Sequence, residues 1–423
     1  MPTRVSWKLN LGLLWFSQIL VIAGFFALIP FIPLFIKNEL GVTNESDLAV
    51  AISAFNFSGA LAYAVFIPIW GMMADRTGVK PILLRGTFIT AIIFPLMTCT
   101  QSVWMLVLLR FISAGCAGTT AASQMMIVRN TPDDKQGFAL GVLATSYWGG
   151  AMLGNVIGGL IIHYFNYESA FWFCGILYFI GGFAVIFTRD GAIKAAGHIK
   201  SAAAKRQWNI RSLIPALTVG AWIMSILFLL MGTIRNFEVP YVALHIETLT
   251  DPQEAALWTG IASAVFCGAA IIAGVFSGYI ADKIPPLKIL IPIMLISSAS
   301  LLVQGFANNL WVFIISRSVL YTAAGGLQPV LQKVLTTITP QRKRGTVFGF
   351  ASAGSSIGNM LSAVLGGAAY SLTSARGVFI ITGVLYFLSM PAMIKGVLTA
   401  GKPFVFKRKT TLFGNSNRQT AKV

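Results

Sequence analysis

The sequence predicts an all-α polytopic membrane protein with twelve transmembrane helices in two pseudo-symmetric six-helix bundles. Three observations lead there. The 423 residues are 56% hydrophobic and only 10% charged, with a mean hydropathy of +0.77, whereas soluble domains carry about 25% charged residues. The apolar runs are continuous and long enough to supply the roughly 20 residues that cross the hydrocarbon. A barrel, the other backbone that lipid tolerates, would need alternating residues instead. Finally, the second half of the chain repeats the first.

Helices are expected at 11–36, 48–70, 82–100, 104–128, 138–163, 170–188, 213–243, 257–280, 288–306, 311–331, 345–370 and 377–397. Arg4 and Lys8 precede the first. That run is too long for the apolar core of a signal peptide and has no small-residue cleavage site, so it reads as a retained helix. The cysteines Cys99, Cys116, Cys174 and Cys267 all fall in apolar runs without metal or redox spacing, and read as small hydrophobes.

Charge gives the orientation. A net charge of +18 would suggest nucleic acid in a soluble protein. Here the cations cluster in alternate loops, the pattern of the positive-inside rule, so no nucleic-acid partner is expected. With the N-terminus inside, the inner segments hold most of the 31 Lys and Arg residues. The outer loops keep Lys37 and Arg376 but hold the acids Glu39, Glu45, Asp47, Glu168, Glu247, Asp251 and Glu254. Both termini are therefore expected in the cytoplasm, in a cell membrane. The domains follow: a first bundle at 1–188, a basic linker at 189–212, a second bundle at 213–398 and a basic tail at 399–423. The tail reads as solvated, with cations able to meet anionic headgroups.

The repeat is explicit. Pro33, Asp75, Trp104 and Arg110 recur as Pro240, Asp282, Trp311 and Arg317, an offset of 207. Gly137, Gly141 and Gly158-Gly159 recur as Gly345, Gly349 and Gly366-Gly367, and Leu177-Tyr178-Phe179 as Leu385-Tyr386-Phe387, at 208. An even number of helices per unit returns the chain to the same side, so the repeat is parallel.

The segment from Gly71 to Leu83 carries the pattern G-x-x-x-D-R-x-G-x-K between two apolar runs. It resembles the cytoplasmic loop between the second and third helices of the major facilitator superfamily of secondary transporters. The resemblance implies two bundles about an axis along the membrane normal, with a site near midplane between them. It also implies a cytoplasmic gate motif of Gly71, Asp75, Arg76, Gly78 and Lys80. There Asp75 would pack against the helix N-terminus near Gly345, with Arg129 nearby. A carboxylate at an exposed helix N-terminus contributes about 0.3–1 kcal/mol, which suits a latch that must open. A plain solvated turn is the alternative. The second copy, from Gly278 to Lys288, keeps Asp282 but has Pro285 in place of the later glycine.

Four ionised side chains interrupt apolar runs: Arg110, Arg235, Glu238 and Arg317. A charge at a helix centre costs about 2.5–3.5 kcal/mol on insertion scales, so it should face a cavity or a partner. Leu106 and Arg110, with Gly115 and Gly118 beyond, resemble the fourth-helix motif that the family links to proton transfer. A structural arginine bonded to backbone carbonyls is the other reading. Met231, Arg235, Glu238, Tyr241 and His245 follow three- and four-residue steps and would share a face of one helix. Desolvation favours a neutral carboxyl and a nearby cation favours the charged form. A carboxyl held between the two can load and release protons, so Glu238, Arg110 and Arg235 form the expected proton-coupling set. The alternative is an interfacial pair of Glu238 with Arg235.

The fifth helix carries Gly150, Gly154, Asn155, Gly158 and Gly159. They resemble the glycine-rich motif of the superfamily's antiporters, and close helix packing explains them as well. By helix facing, Gln124 follows Arg110 and Gln328 follows Arg317. With Phe25, Phe26, Tyr147, Trp148, Met231, Tyr241 and Arg317 they give an expected cavity that is largely aromatic and sparsely charged.

These features identify a non-enzymatic carrier most similar to the twelve-helix drug/proton antiporters. It is expected to act as a monomer in the lipid bilayer, exporting small lipophilic compounds in exchange for protons. No G-x-x-x-x-G-K-[ST] motif occurs, so a proton gradient, without cofactor or metal, is the expected energy source. A carrier for a defined metabolite, such as a sugar or organic anion, and a transporter-like sensor without flux are the alternatives.

Overall fold

The computed structural model describes residues 7–190, 219–339 and 344–405. The side chains of Asp75, Asp133, Pro329 and residues 274–283, 344–346 and 401–405 lie outside the description. So do most of the expected linker and the tail past Val405.

Among the described residues the chain is helical throughout. The helices are α1 (Trp7–Phe26), α2 (Ile32–Asn38), α3 (Glu45–Thr77), α4 (Val79–Leu96), α5 (Val103–Cys116), α6 (Thr119–Asn130), α7 (Gln136–Tyr164) and α8 (Tyr167–Ile186). The second half adds α9 (Val219–Arg235), α10 (Val242–Glu247), α11 (Ala255–Lys283), α12 (Pro286–Phe306), α13 (Leu310–Ala324), α14 (Leu327–Ile338), α15 (Arg344–Leu372) and α16 (Ala375–Val405). All twelve expected spans are present, and ten of them are long and apolar enough to cross a membrane on those grounds alone.

Four spans expected as single helices are broken in two: the first (α1–α2), fourth (α5–α6), seventh (α9–α10) and tenth (α13–α14). Each break carries a residue that helices exclude. Pro30 and Pro240 lie in 3-10 turns between the two pieces of their spans, because proline has no N–H and clashes with the preceding turn. Gly118 sits at φ +108, where a side chain would be strained, and Gly325-Gly326 separates α13 from α14. A broken helix in lipid needs partners for its freed carbonyls. Trp70 Nε1 donates to Gly115 O at 2.6 Å and Arg85 Nη2 to Cys116 O at 3.1 Å. The Arg85 guanidinium lies 3.2 Å from the Trp70 ring centre.

Packing repeats with the sequence. In the first half α1 packs on α7 and α8, α3 on α5, and α4 on α8; in the second, α9 packs on α15 and α16, α11 on α13, and α12 on α16. The halves meet along α7–α11 and α3–α15. Trp104 and Trp311, one repeat apart, are both exposed at the starts of α5 and α13, where an amphipathic ring suits the bilayer interface.

The glycines show where the halves close. At the end that carries the α2–α3 and α10–α11 connections, a Cβ on Gly159 would stand 2.8 Å from Ala256 O, and one on Gly260 or Gly367 would strike Asn155 O or the Ser53 hydroxyl across the interface. Toward the opposite end, a Cβ on Gly71, Gly137, Gly141 or Gly349 would meet nothing within 4 Å. At the same end as the first set, Lys37 Nζ bonds Glu247 Oε2 at 2.8 Å, joining the first span to the seventh. The halves therefore meet closely at the end where Lys37 and Glu247 lie.

Candidate functional site: a cavity between the halves

The break in the seventh span sets the site. α9 ends at Arg235, and Val239–Tyr241 forms a 3-10 turn. Residues 236–241 therefore leave the 100° helical progression, and the expected common face does not form. Glu238 does not pair with its neighbour Arg235. Its Oε1 accepts from Arg317 Nη2 of α13 at 3.2 Å, and both side chains are buried. Arg235 instead donates from Nη1 to Gln328 Oε1 of α14 at 2.8 Å. Two polar bridges thus join the broken seventh span to the broken tenth.

They face a cavity of about 490 Å³. Its wall takes Phe26, Tyr147, Trp148, Asn155, Arg235, Glu238, Arg317 and Gln328 from the residues singled out in the sequence. Phe26 meets Tyr147 edge to face at 5.9 Å, and Tyr147 meets Trp148 at 5.4 Å. Asn155, expected as a packing residue, lines the cavity and reaches across to Cys267 Sγ of α11 at 3.7 Å. Gly150, Gly154 and Gly158 do pack closely. A Cβ on Gly150 would lie 2.7 Å from Ile19 O, and on Gly154 and Gly158 it would strike the Ala23 and Ala27 carbonyls of α1.

Five expected residues lie elsewhere. Gln124 is exposed on α6, because Gly118 restarts the helix and resets its facing relative to Arg110. Met231 is buried in the second half's core. Tyr241 is buried against Tyr370, rings stacked at 4.9 Å. The helix break after Arg235 displaces Tyr241, whereas Met231 lies before the break on α9 and packs within its own bundle. Phe25 and Arg110 are absent from the cavity wall, because Arg110 packs against first-half rings. Its guanidinium lies 5.2 Å from the centres of both Phe25 and Phe55, its Nε has no hydrogen-bond partner, and no carboxylate pairs with it among the described residues. Sequence reasoning missed Asn56, Asn236, Tyr321, Gln332 and Tyr386 on the wall. The amides were detectable, being polar interruptions of apolar runs.

The gate motif is tighter than a thirteen-residue polar loop. α3 continues to Thr77 and α4 begins at Val79, leaving Gly78 alone between them at φ +93. The N-terminus of α4 is capped by Asp190, whose Oδ2 accepts from Val79 N at 2.7 Å and Lys80 N at 3.1 Å. Lys80 Nζ donates to Ile186 O and Thr188 O at the end of α8. A carboxylate on amide donors at one helix start and an ammonium on carbonyls at another helix end suit both helix dipoles. A Cβ on Gly78 would lie 2.7 Å from Asp190 Oδ2. Arg129 Nη1 reaches Ala74 O at 3.5 Å, Arg76 is exposed, and a Cβ on Gly71 would meet nothing within 4 Å. The expected contact of Asp75 with the helix start near Gly345 falls outside the described side chains.

Comparison with known proteins agrees with this architecture. The family model described as Major Facilitator Superfamily matches residues 14–250 and 222–407. The multidrug resistance protein MdtG of Salmonella typhimurium is 28% identical over 389 residues, 90% of this chain and 94% of that protein. The Citrobacter koseri protein of the same name is 29% identical over the same span. Among solved structures, a bacterial homolog of the human lysosomal transporter Spinster superposes with a TM-score of 0.72 at 16% identity, over 95% of this chain and 98% of that one. A D-xylose–proton symporter also gives 0.72 at 16% identity, over 91% and 97%.

Proposed function

The chain belongs to the major facilitator superfamily, and on that premise we propose that it is a multidrug efflux transporter, driven by protons and working by alternating access between its halves. Likeness to the multidrug resistance proteins along 90% of the chain supports the efflux reading. The observation that carries the coupling is Glu238, the one acid in the fully buried set of described residues, ion-paired at the cavity wall.

In this reading a lipophilic compound enters the inward-facing cavity and rests against Phe26, Tyr147 and Trp148, while Glu238 is ionised against Arg317. Rearrangement opens the outer side, which requires the Lys37–Glu247 bond and the Gly159–Gly260 contact to part. Glu238 then takes a proton from outside, the compound leaves, and the protonated carrier returns inward to release the proton. The protein would work as a monomer in the cell membrane with both termini in the cytoplasm.

A second reading, a carrier of a defined organic anion, is favoured by one feature. Arg235 and Arg317 both line the cavity against a single carboxylate, leaving it net positive. A transport screen in inverted vesicles, with and without an imposed pH gradient, separates the readings. Gradient-dependent uptake of several structurally unrelated lipophilic dyes supports efflux of many compounds. Uptake confined to one class of organic anion supports the second reading. Absence of any flux, with binding retained, would leave a sensor.

A further inference from the structure

His245 is fully buried on α10, and the cycle above gives it no role. Its Nε2 lies 3.1 Å from Gln304 O near the end of α12. A carbonyl only accepts, so Nε2 carries the hydrogen and Nδ1 of the neutral ring is a bare acceptor. Nδ1 has no partner. Gln304 is equally buried; its Oε1 accepts from Arg317 Nη1 at 3.0 Å, while its own Nε2 is left unpartnered. Arg317 Nε likewise has no partner among the described residues. His245 thus bears on the main chain of Gln304, whose side chain bears on Arg317 and so on Glu238, and Phe313 and Phe379 wall both the His245 ring and the Arg317 guanidinium. Their centres lie 5.0 Å from the His245 ring and 5.9 and 5.7 Å from the Arg317 guanidinium.

Each buried unsatisfied polar atom costs about 1–3 kcal/mol, so folding alone does not favour this cluster. The repeat makes the point directly. The positions 207 residues earlier hold Phe31, Asn38, Met97 and Arg110. The first half folds the same way without the histidine, the glutamine or the carboxylate.

We infer that His245, acting through Gln304, is a positioning residue that fixes Arg317 as a stationary counter-charge, so that Glu238 can gain and lose a proton without the guanidinium following it. The inference rests on Glu238 being the proton site. Loss of His245 frees the main chain of Gln304 and loosens this second anchor, and loss of the Gln304 side chain removes it; in either case Arg317 binds Glu238 more closely. A closer cation favours the ionised carboxyl, so protonation would then require lower pH. The titratable and charged groups around Glu238 are Arg235 on α9, Arg317 and Tyr321 on α13 and Tyr386 on α16. Those around His245 are Arg317 and Arg376.

The test is a pH titration of the protonated-carboxyl infrared band in the full chain reconstituted in lipid, which requires no substrate. The band that disappears in Glu238→Gln belongs to Glu238. In His245→Ala its midpoint should move acid by about one pH unit, a tenfold loss of proton affinity. His245→Gln, whose amide can still donate to Gln304 O, should restore it. Gln304→Met introduces the residue found at the matching first-half position, keeps the carbonyl that His245 uses, and should give the same acid shift even if His245→Ala does not fold. A Glu238 band that titrates in the wild type with an unchanged midpoint in His245→Ala or Gln304→Met would overturn the positioning role alone. A wild-type Glu238 band that does not titrate in the physiological range would overturn both this role and the proton-site reading.

Discussion

Four positions in each half, separated by the same 207 residues, distinguish two copies of one scaffold. The first copy has Phe31, Asn38, Met97 and Arg110; the second has Glu238, His245, Gln304 and Arg317. In the first, Phe31 and Met97 are buried apolar, Asn38 reaches out to the Tyr167 hydroxyl, and Arg110 rests on aromatic faces. In the second, the same positions form a connected polar chain ending in a buried ion pair. The helix packing is otherwise the same, so the polar chain is an addition to the fold rather than a requirement of it. The first half serves as aromatic wall and scaffold, and the second carries the ionisable chemistry.

The largest effect should come from unpairing the ion pair. Arg317→Met leaves a buried carboxylate without its counter-charge and should cost about 3–5 kcal/mol, read as a large drop in thermal unfolding temperature in detergent. Adding Glu238→Leu should recover most of that stability without transport. Arg110→Met, which unpairs no carboxylate, should be milder, and an equal loss would break the contrast between the halves.

Next come contacts common to both copies. Gly158 packs on the Ala27 carbonyl and its counterpart Gly366 on Phe237 O, where a Cβ would lie 2.9 Å away. Alanine at either site should cost about 1–3 kcal/mol through overpacking. Alanine at Gly141, which faces open space, should be neutral or gain up to about 1 kcal/mol. A large asymmetry between Gly158→Ala and Gly366→Ala would mean that the halves differ in more than the polar chain.

Gly78 has Pro285 as its counterpart, so the turn chemistry at this point is confined to the first half. Gly78→Ala must place a side chain at φ +93 against Asp190 and should cost roughly 1–2 kcal/mol. Asp190→Asn should lose part of the same stability, checked by the same melts. The smallest effect belongs to the closure at the Lys37–Glu247 end. Lys37 is one-third exposed in its bond to Glu247, so Glu247→Gln should cost under about 1 kcal/mol. It should still raise the reactivity of a cysteine placed at Ser53 toward an impermeant thiol reagent from outside.

The sequence made the spans and the repeat legible because bilayer crossing and gene-level duplication leave long, additive signals. Some helix edges came within a few residues, as in 138–163 against Gln136–Tyr164, but others run on, as in 48–70 against Glu45–Thr77 and 377–397 against Ala375–Val405. The breaks were signalled by Pro240 and Gly118, yet apolar periodicity continues across them and hides them. That failure propagated into the site. A continuous seventh helix puts Glu238 beside Arg235, whereas the turn after Arg235 sends it across to Arg317 on another span. The Asp190 cap was also hidden, since an acid just past an apolar run carries no local indication of a helix start more than a hundred residues earlier.

The most direct measurement is proton movement coupled to drug flux in proteoliposomes containing the wild type or Glu238→Gln. The wild type should drive dye uptake with an imposed pH gradient and move protons in the opposite direction. The variant should still exchange dye across the membrane but lose both the gradient-driven accumulation and the proton flux. Undiminished gradient-driven accumulation in Glu238→Gln would contradict the account.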